Sequence, residues 1–243
     1  LEGFQSTIEN IRKESSNDKN IKTSSSNSIL IHHANLYPPG SKIPIISDLN
    51  LSINETDKLL VVGPSGCGKT SLLRMISGLW KPTNGNIKRP RMGDLLFIPQ
   101  KPYMLLGSLR EQLCYPTEEA KFSDDQLRSV LSEVRLKSLI ERYPNFDIKQ
   151  DWPRILSLGE QQRLAFGRLL LNAPRFAILD EATSALDVKT EEHLYELLKK
   201  RDLAVISVGH RPTLLEFHST VLELTGNGSW RLLPSTNYDF DKP

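Results

Sequence analysis

One stretch constrains this chain more than any other: Gly63-Pro64-Ser65-Gly66-Cys67-Gly68-Lys69-Thr70-Ser71. It follows the apolar run Leu59-Leu60-Val61-Val62 and leads into Leu72-Leu73-Arg74-Met75-Ile76. A short strand, a glycine-rich turn and a helical pattern form the context that a phosphate-binding loop requires. The glycines let backbone N–H groups converge on phosphate oxygens, and the following helix points its N-terminus at the same anion. Read this way, Gly63, Pro64, Ser65, Gly66, Cys67, Gly68, Lys69, Thr70 and Ser71 line a bound nucleotide. Lys69 reaches its β- and γ-phosphates, and the Thr70 hydroxyl sits on Mg²⁺.

With 243 residues, the chain has room for one full core plus a subdomain. A net charge of +2 gives no electrostatic footprint for nucleic acid, so no nucleic-acid partner is expected. Cys67 and Cys114 are the only cysteines and no CxxC or Cys/His spacing occurs, which predicts reduced thiols and no zinc site. No apolar run approaches the ~20 residues of a membrane helix. The chain begins with Leu1 rather than Met, so an excised domain is expected.

Residues 1–27 are polar and low in complexity and read as a linker, with a folded domain over 28–243. Ile29-Leu30-Ile31, Ile43-Pro44-Ile45-Ile46 and the alternating Leu49, Leu51 and Ile53 are strand-like, separated by the turn Pro38-Pro39-Gly40. Tyr37, just before that turn, either returns beside the phosphate loop to stack on a base or packs at a strand end. Gly78 and Pro82 end the loop helix, and Asn84-Gly85-Asn86 reads as a turn. Leu95-Leu96-Phe97-Ile98 reads as a strand buried on both faces, and it delivers Gln100 to the sheet edge where α/β folds place ligand contacts. Ser123-Asp124-Asp125-Gln126 has the form of a capping box ahead of Leu127, Val130, Leu131 and Val134 at helical spacing. A separate helical subdomain is expected over about 101–172.

The second chemical cluster is Leu156-Ser157-Leu158-Gly159-Glu160-Gln161-Gln162-Arg163, where Ser and Gly at a helix entrance offer a hydroxyl and free N–H groups to an anion. The next strand, Phe176-Ala177-Ile178-Leu179, ends in Asp180-Glu181. Asp180 is placed to hold Mg²⁺, usually through water, and Glu181 to accept a proton from an attacking water. Ser184-Ala185-Leu186-Asp187 follows, then a helix over 191–200. A final strand over 203–208 stops at Gly209-His210-Arg211, so His210 joins the other polar residues at the strand ends.

Together these segments resemble the ATP-binding cassette of ABC transporters, over roughly residues 29–233. Residues 63–70 resemble its Walker A motif, Gln100 its Q-loop and residues 157–162 its signature sequence. Residues 176–181 resemble Walker B with its catalytic glutamate, residues 184–187 the D-loop, and His210 the switch histidine. Asp151-Trp152, the wording around Ser157, and Ile206-Ser207-Val208-Gly209-His210-Arg211 are similar to the D subfamily. That group includes peroxisomal fatty-acyl-CoA half-transporters, plastid members and bacterial relatives. The resemblance implies an α/β fold with a P-loop NTPase core, a mainly parallel sheet, an N-terminal antiparallel β subdomain and an α-helical subdomain. It implies ATP and Mg²⁺ as cofactors, with Tyr37, Gln100, Ser157, Gly159, Glu160 and Asp187 on the nucleotide and Thr70, Gln100 and Asp180 at the metal. Lys69, Glu181 and His210 are its implied catalytic residues.

The partners it implies are a transmembrane domain upstream in the same polypeptide and a second cassette, in a homo- or heterodimer packed head to tail. The implied location is the cytosolic or stromal face of a plastid or peroxisomal membrane, or of the plasma membrane in a bacterium. One departure stands out: the first of the two usual signature glycines is Leu158. A φ above zero there would strain Leu by ~1–2 kcal/mol; otherwise it simply packs. A soluble, non-transport ABC ATPase is the alternative, although such proteins carry a coiled-coil insertion or tandem cassettes that this chain lacks. A P-loop kinase or GTPase would leave residues 157–163 and His210 without a role.

Overall fold

A computed structural model describes residues 26–38 and 40–240. Most of the expected linker, Pro39 of the expected turn and residues 241–243 of the expected domain lie outside the described residues.

Strands β1 (Ile29–Leu36) and β2 (Ile46–Ile53) pair antiparallel, β3 is Lys58–Val62, and helix α1 (Lys69–Ser77) follows. Next come β4 (Asn84–Lys88), β5 (Leu95–Ile98), β6 (Gly107–Ser108), α2 (Leu109–Cys114), α3 (Asp124–Glu133) and α4 (Lys137–Arg142). The remainder is β7 (Lys149–Gln150), α5 (Trp152–Ile155), α6 (Leu158–Asn172), β8 (Phe176–Asp180), α7 (Val188–Lys199), β9 (Ala204–Val208), β10 (Thr220–Leu224) and β11 (Trp230–Pro234).

Two principal sheets result. A three-stranded antiparallel sheet runs β2-β1-β4, and a six-stranded sheet runs β11-β10-β3-β9-β8-β5. In the larger sheet only β11 is antiparallel to its neighbour. The expected mainly parallel core and antiparallel N-terminal sheet are both present. Alternation explains the layers: Leu60 and Val62 face one apolar cluster with Leu164, Phe166 and Leu169 of α6, while Leu59 and Val61 face another with Leu72, Leu73 and Ile76 of α1. Helices α2 and α3 pack on α6 and share the first of these clusters. The box expected at Ser123 is formed, and Leu127, Val130, Leu131 and Val134 are buried.

Three local expectations are corrected. Residues 43–45 lie outside β2, and Ile43 is exposed, because Pro44 cannot donate to a ladder. The Asn84-Gly85-Asn86 stretch is strand, not turn. A Cβ at Gly85 would collide with the carbonyl oxygens of His32 and His33, so glycine permits the close approach of β4 to β1. Among the described residues strand β5 pairs only with β8, and its faces differ: Leu96 and Ile98 are buried in the cluster shared with α6, while Leu95 and Phe97, on the α1 side, stay half-buried. The carboxyl ends of β3, β8 and β9 converge on one edge of the sheet, the crevice where parallel α/β sheets bind ligands.

Candidate active site

The phosphate loop is built by exclusion. Gly63 has φ +139°, and a Cβ there would strike the Leu224 carbonyl oxygen, so no other residue fits. Cys67 is buried with its Sγ against Gly63, leaving its backbone rather than its thiol on the loop. Pro64, Ser65 and Gly66 are exposed. Lys69 Nζ spans the loop, donating to the carbonyls of Gly63 (2.8 Å) and Pro64 (2.9 Å). Helix α1 starts from Gly68 with no side-chain cap and no acidic residue in its first turn. Its first N–H groups, including that of Ser71, are therefore not taken up by a carboxylate or hydroxyl.

Thr70 brings the loop to β8. Its Oγ1 donates to Asp180 Oδ1 at 3.1 Å. Burial pushes the Asp180 carboxyl up and Glu181 adds to this, while the Thr70 hydroxyl, Arg74 and Lys69 pull it down; the net shift is upward. A hydroxyl and a desolvated carboxylate side by side are a hard-oxygen donor set suited to Mg²⁺, which would restore the favourable charge balance that burial opposes.

Glu181 sits in the left-handed region at φ +48°, a conformation that costs a non-glycine residue ~1–2 kcal/mol and points to a functional constraint. It is held on two sides. Its N–H donates to the Val208 carbonyl (3.2 Å), and Gln100 Nε2 donates to its Oε2 (2.8 Å). Val208 is the last residue of β9, so His210 follows directly, exposed, and lines the same cleft as Glu181, Ser184 and Arg211.

The entrance of α6 is capped from within. Ser157 Oγ accepts the Glu160 N–H (3.3 Å), and Glu160 Oε2 accepts both the Ser157 N–H and its hydroxyl at 2.9 Å. Glu160 is also paired with Arg142 (2.5 Å). Burial raises its carboxyl, but the Ser157 donors and Arg142 outweigh that and hold it below the usual range. Leu158 is not among the left-handed residues; it opens the helix and is 41% exposed. It is neither strained nor packed, which differs from both outcomes weighed on sequence grounds. Gly159 lies against Leu186 and the Ala185 carbonyl.

Phosphate loop, Asp180, Glu181, Gln100 and His210 are thus brought together. Ser157 and Gly159 make no hydrogen bond to residues 63–70 among the described residues. Asp187 caps α7, accepting the Thr190 N–H (2.9 Å) and hydroxyl (2.8 Å), which lower its carboxyl from the ordinary value. Tyr37 is half-buried; its neighbour Leu36 accepts the Ile45 N–H at 2.8 Å, and Ile45 in turn lies against Gly68, so the tyrosine's segment reaches the phosphate loop.

Sequence reading did not single out Gln162. It is fully buried and joins three parts of the site: Nε2 donates to the Gln100 carbonyl (3.0 Å) and Ser184 Oγ (3.1 Å), and Oε1 accepts the Ala185 N–H (3.0 Å). A polar residue on the core-facing side of α6 was the available signal, because buried amides require partners. Arg168 was missed in the same way. Buried with its guanidinium on the carbonyls of Gln112 and Tyr103 (2.5 Å to Tyr103), it is lowered to about 10 by desolvation.

Fold and site define a phosphate-loop nucleotide-binding protein. The ABC transporter family pattern matches residues 46–184. An uncharacterized ABC transporter ATP-binding protein of Synechocystis is 49% identical over 209 residues, covering 86% of this chain and 32% of that protein. The mouse lysosomal cobalamin transporter of the D subfamily is 42% identical, covering 86% of this chain and 36% of that protein. The chloroplastic ABC transporter D family member 2 of Arabidopsis thaliana is 38% identical, covering 80% and 34%. A bacterial Atm1-family ABC exporter, solved with ATP bound, shares the fold with a TM-score of 0.77 at 21% identity, covering 92% of this chain and 43% of that one. This chain belongs to the ABC transporter family, as an ATP-binding cassette whose relatives include D-subfamily members. It spans about a third of the length of the curated relatives it matches. Among the described residues no helix is long and apolar enough to cross a membrane.

Proposed function

We propose that this cassette hydrolyses ATP and powers substrate translocation by a D-subfamily half-transporter, acting head to tail with a second cassette. The observation that carries the reading is Glu181. It is left-handed, with its N–H on β9 and its carboxylate on Gln100, beside the metal-suited Thr70–Asp180 pair and in the same cleft as His210.

Thr70 and Asp180 would hold Mg²⁺, which when bound supplies positive charge against the phosphates. Lys69 exchanges its two loop carbonyls for phosphate oxygens, and the N–H groups of residues 66–71 supply further donors. Glu181 orients the attacking water and accepts its proton, while His210 approaches the γ-phosphate from the neighbouring strand end. Gln100 reports the state of the site to a membrane domain that we place upstream in the same polypeptide. Ser157 and Gly159 act on the nucleotide of the opposite cassette, so each ATP lies between two copies; Tyr37 stacks on its base. Closure on ATP and reopening after hydrolysis drive the membrane domain between states. The names of the relatives support a membrane setting, and we place the cassette on the cytosolic or stromal face, in an organelle or a bacterial plasma membrane.

The test is Glu181→Gln. Nucleotide affinity stays within about twofold while turnover falls ~100-fold or more, read by phosphate release. Wild-type turnover in this variant would remove Glu181 from the mechanism.

A further inference from the structure

Glu191 lies in the first turn of α7 and is 2% exposed, yet the reaction outlined above does not use it. A carboxylate in a core is strongly destabilising unless it is paired and hydrogen-bonded. The partners of Glu191 all come from the two loops that carry the reacting groups. Its Oε2 accepts the Thr183 hydroxyl, from the loop that begins with Glu181. Its Oε1 lies 3.4 Å from Thr213 Oγ1 and 3.4 Å from Arg211 Nη1, both on the segment that follows His210.

Arg211 completes the tie. Its Nη2 donates to the Leu186 carbonyl at 2.9 Å, near the far end of the Glu181 loop. At the near end the Glu181 N–H donates to the Val208 carbonyl at 3.2 Å. Residues 181–186 are therefore joined to residues 208–213 at both ends, with Glu191 at the crossing. The base beneath is fixed as well: Asp187 caps α7 through Thr190, and Arg135, two residues past α3, donates to Thr190 Oγ1 at 3.2 Å.

We propose that Glu191, through its pair with Arg211, is a positioning residue for ATP hydrolysis that holds the Glu181 loop and the His210 loop in register. It touches no substrate. Its effect reaches the reaction through the separation of Glu181 and His210, and a displacement of ~1 Å between two reacting groups is enough to cost ~100-fold in rate. The inference rests on the ATPase reading.

The experiment measures ATP turnover and KM for the full chain carrying Glu191→Gln, Arg211→Met or both, each alone and with His210→Ala. Each single variant should lower kcat ~10- to 100-fold with KM within about twofold, because the phosphate loop is untouched. The pair should be no worse than either single variant. In the His210→Ala background Glu191→Gln should change kcat by less than ~2-fold, since the group it positions is gone. Full additivity with His210→Ala, an unchanged kcat, or a loss expressed mainly in KM would each overturn the proposal. If Glu191→Gln does not fold, Arg211→Met, at a partly exposed side chain, decides the question by the same criteria. No turnover in the wild type overturns the ATPase reading and this inference with it. Turnover that depends on Glu181 but not on Glu191 or Arg211 overturns this inference alone.

Discussion

Helix α1, which opens on the phosphate loop, and helix α6, whose entrance we assign to the nucleotide of a second copy, treat their first N–H groups in opposite ways. Helix α1 starts from Gly68, without a side-chain cap and without an acid in its first turn, behind a loop bridged by Lys69. Helix α6 starts from Ser157 with a complete capping box, and the Glu160 carboxylate occupies its first turn. Every helix has such orphan donors, and they are satisfied by a side chain, by water or by a ligand. One end is organised to receive an anion as it stands. The other is closed on itself by a carboxylate, so Ser157 must give up its bonds to Glu160 before it can donate to a phosphate. On the reading proposed above, the first end binds and the second is recruited.

The largest test of that contrast is Lys69→Ala. Affinity for a fluorescent ATP analogue should fall ~100-fold or more, since two charge-assisted bonds to phosphate are lost. An unchanged Kd would erase the distinction between the two ends. Ser157→Ala should act differently: turnover falls ~10-fold, nucleotide affinity stays within about twofold, and the helix loses ~1 kcal/mol of cap stability. Binding weakened as much as in Lys69→Ala would mean that both ends grip the same nucleotide from one copy.

The smallest effect concerns Glu160. Its carboxyl is held below the ordinary range in the folded chain, so its contribution is present above the unfolded value and is lost as pH falls through the folded one. Glu160→Gln should flatten that acid-side loss by a few tenths of a kcal/mol, about the scale of an ion pair near the surface. Thermal melts between pH 6 and 3 read it, and parallel curves for the two proteins would show that the capping box does not depend on the charge.

What was legible in the sequence follows from how local each constraint is. The phosphate loop, the Ser123 box and the strand ends at Asp180 and His210 are contiguous motifs, and each dictates its own backbone, whereas the closing of the α6 entrance by Glu160 was not read from the sequence. Gly85 misled because a glycine flanked by asparagines serves a turn locally, whereas here it admits two carbonyls from β1. Leu95 and Phe97 misled because an apolar run does not say how completely each face of its strand is covered. Gln162, Arg168 and Glu191 stayed hidden for one physical reason: each is a buried polar group whose partners lie on other elements or loops. At Leu158 the backbone decides the matter, since the first helical position needs no left-handed residue.

The central claim is that each ATP is shared between the open end of α1 in one copy and the entrance of α6 in another. The most direct measurement is the solution mass of the Glu181→Gln chain by light scattering, with and without ATP and Mg²⁺. The account predicts a doubling of mass on adding ATP, abolished when Ser157→Arg is introduced although nucleotide still binds. A nucleotide-saturated Glu181→Gln chain that keeps the mass of a single copy would contradict it.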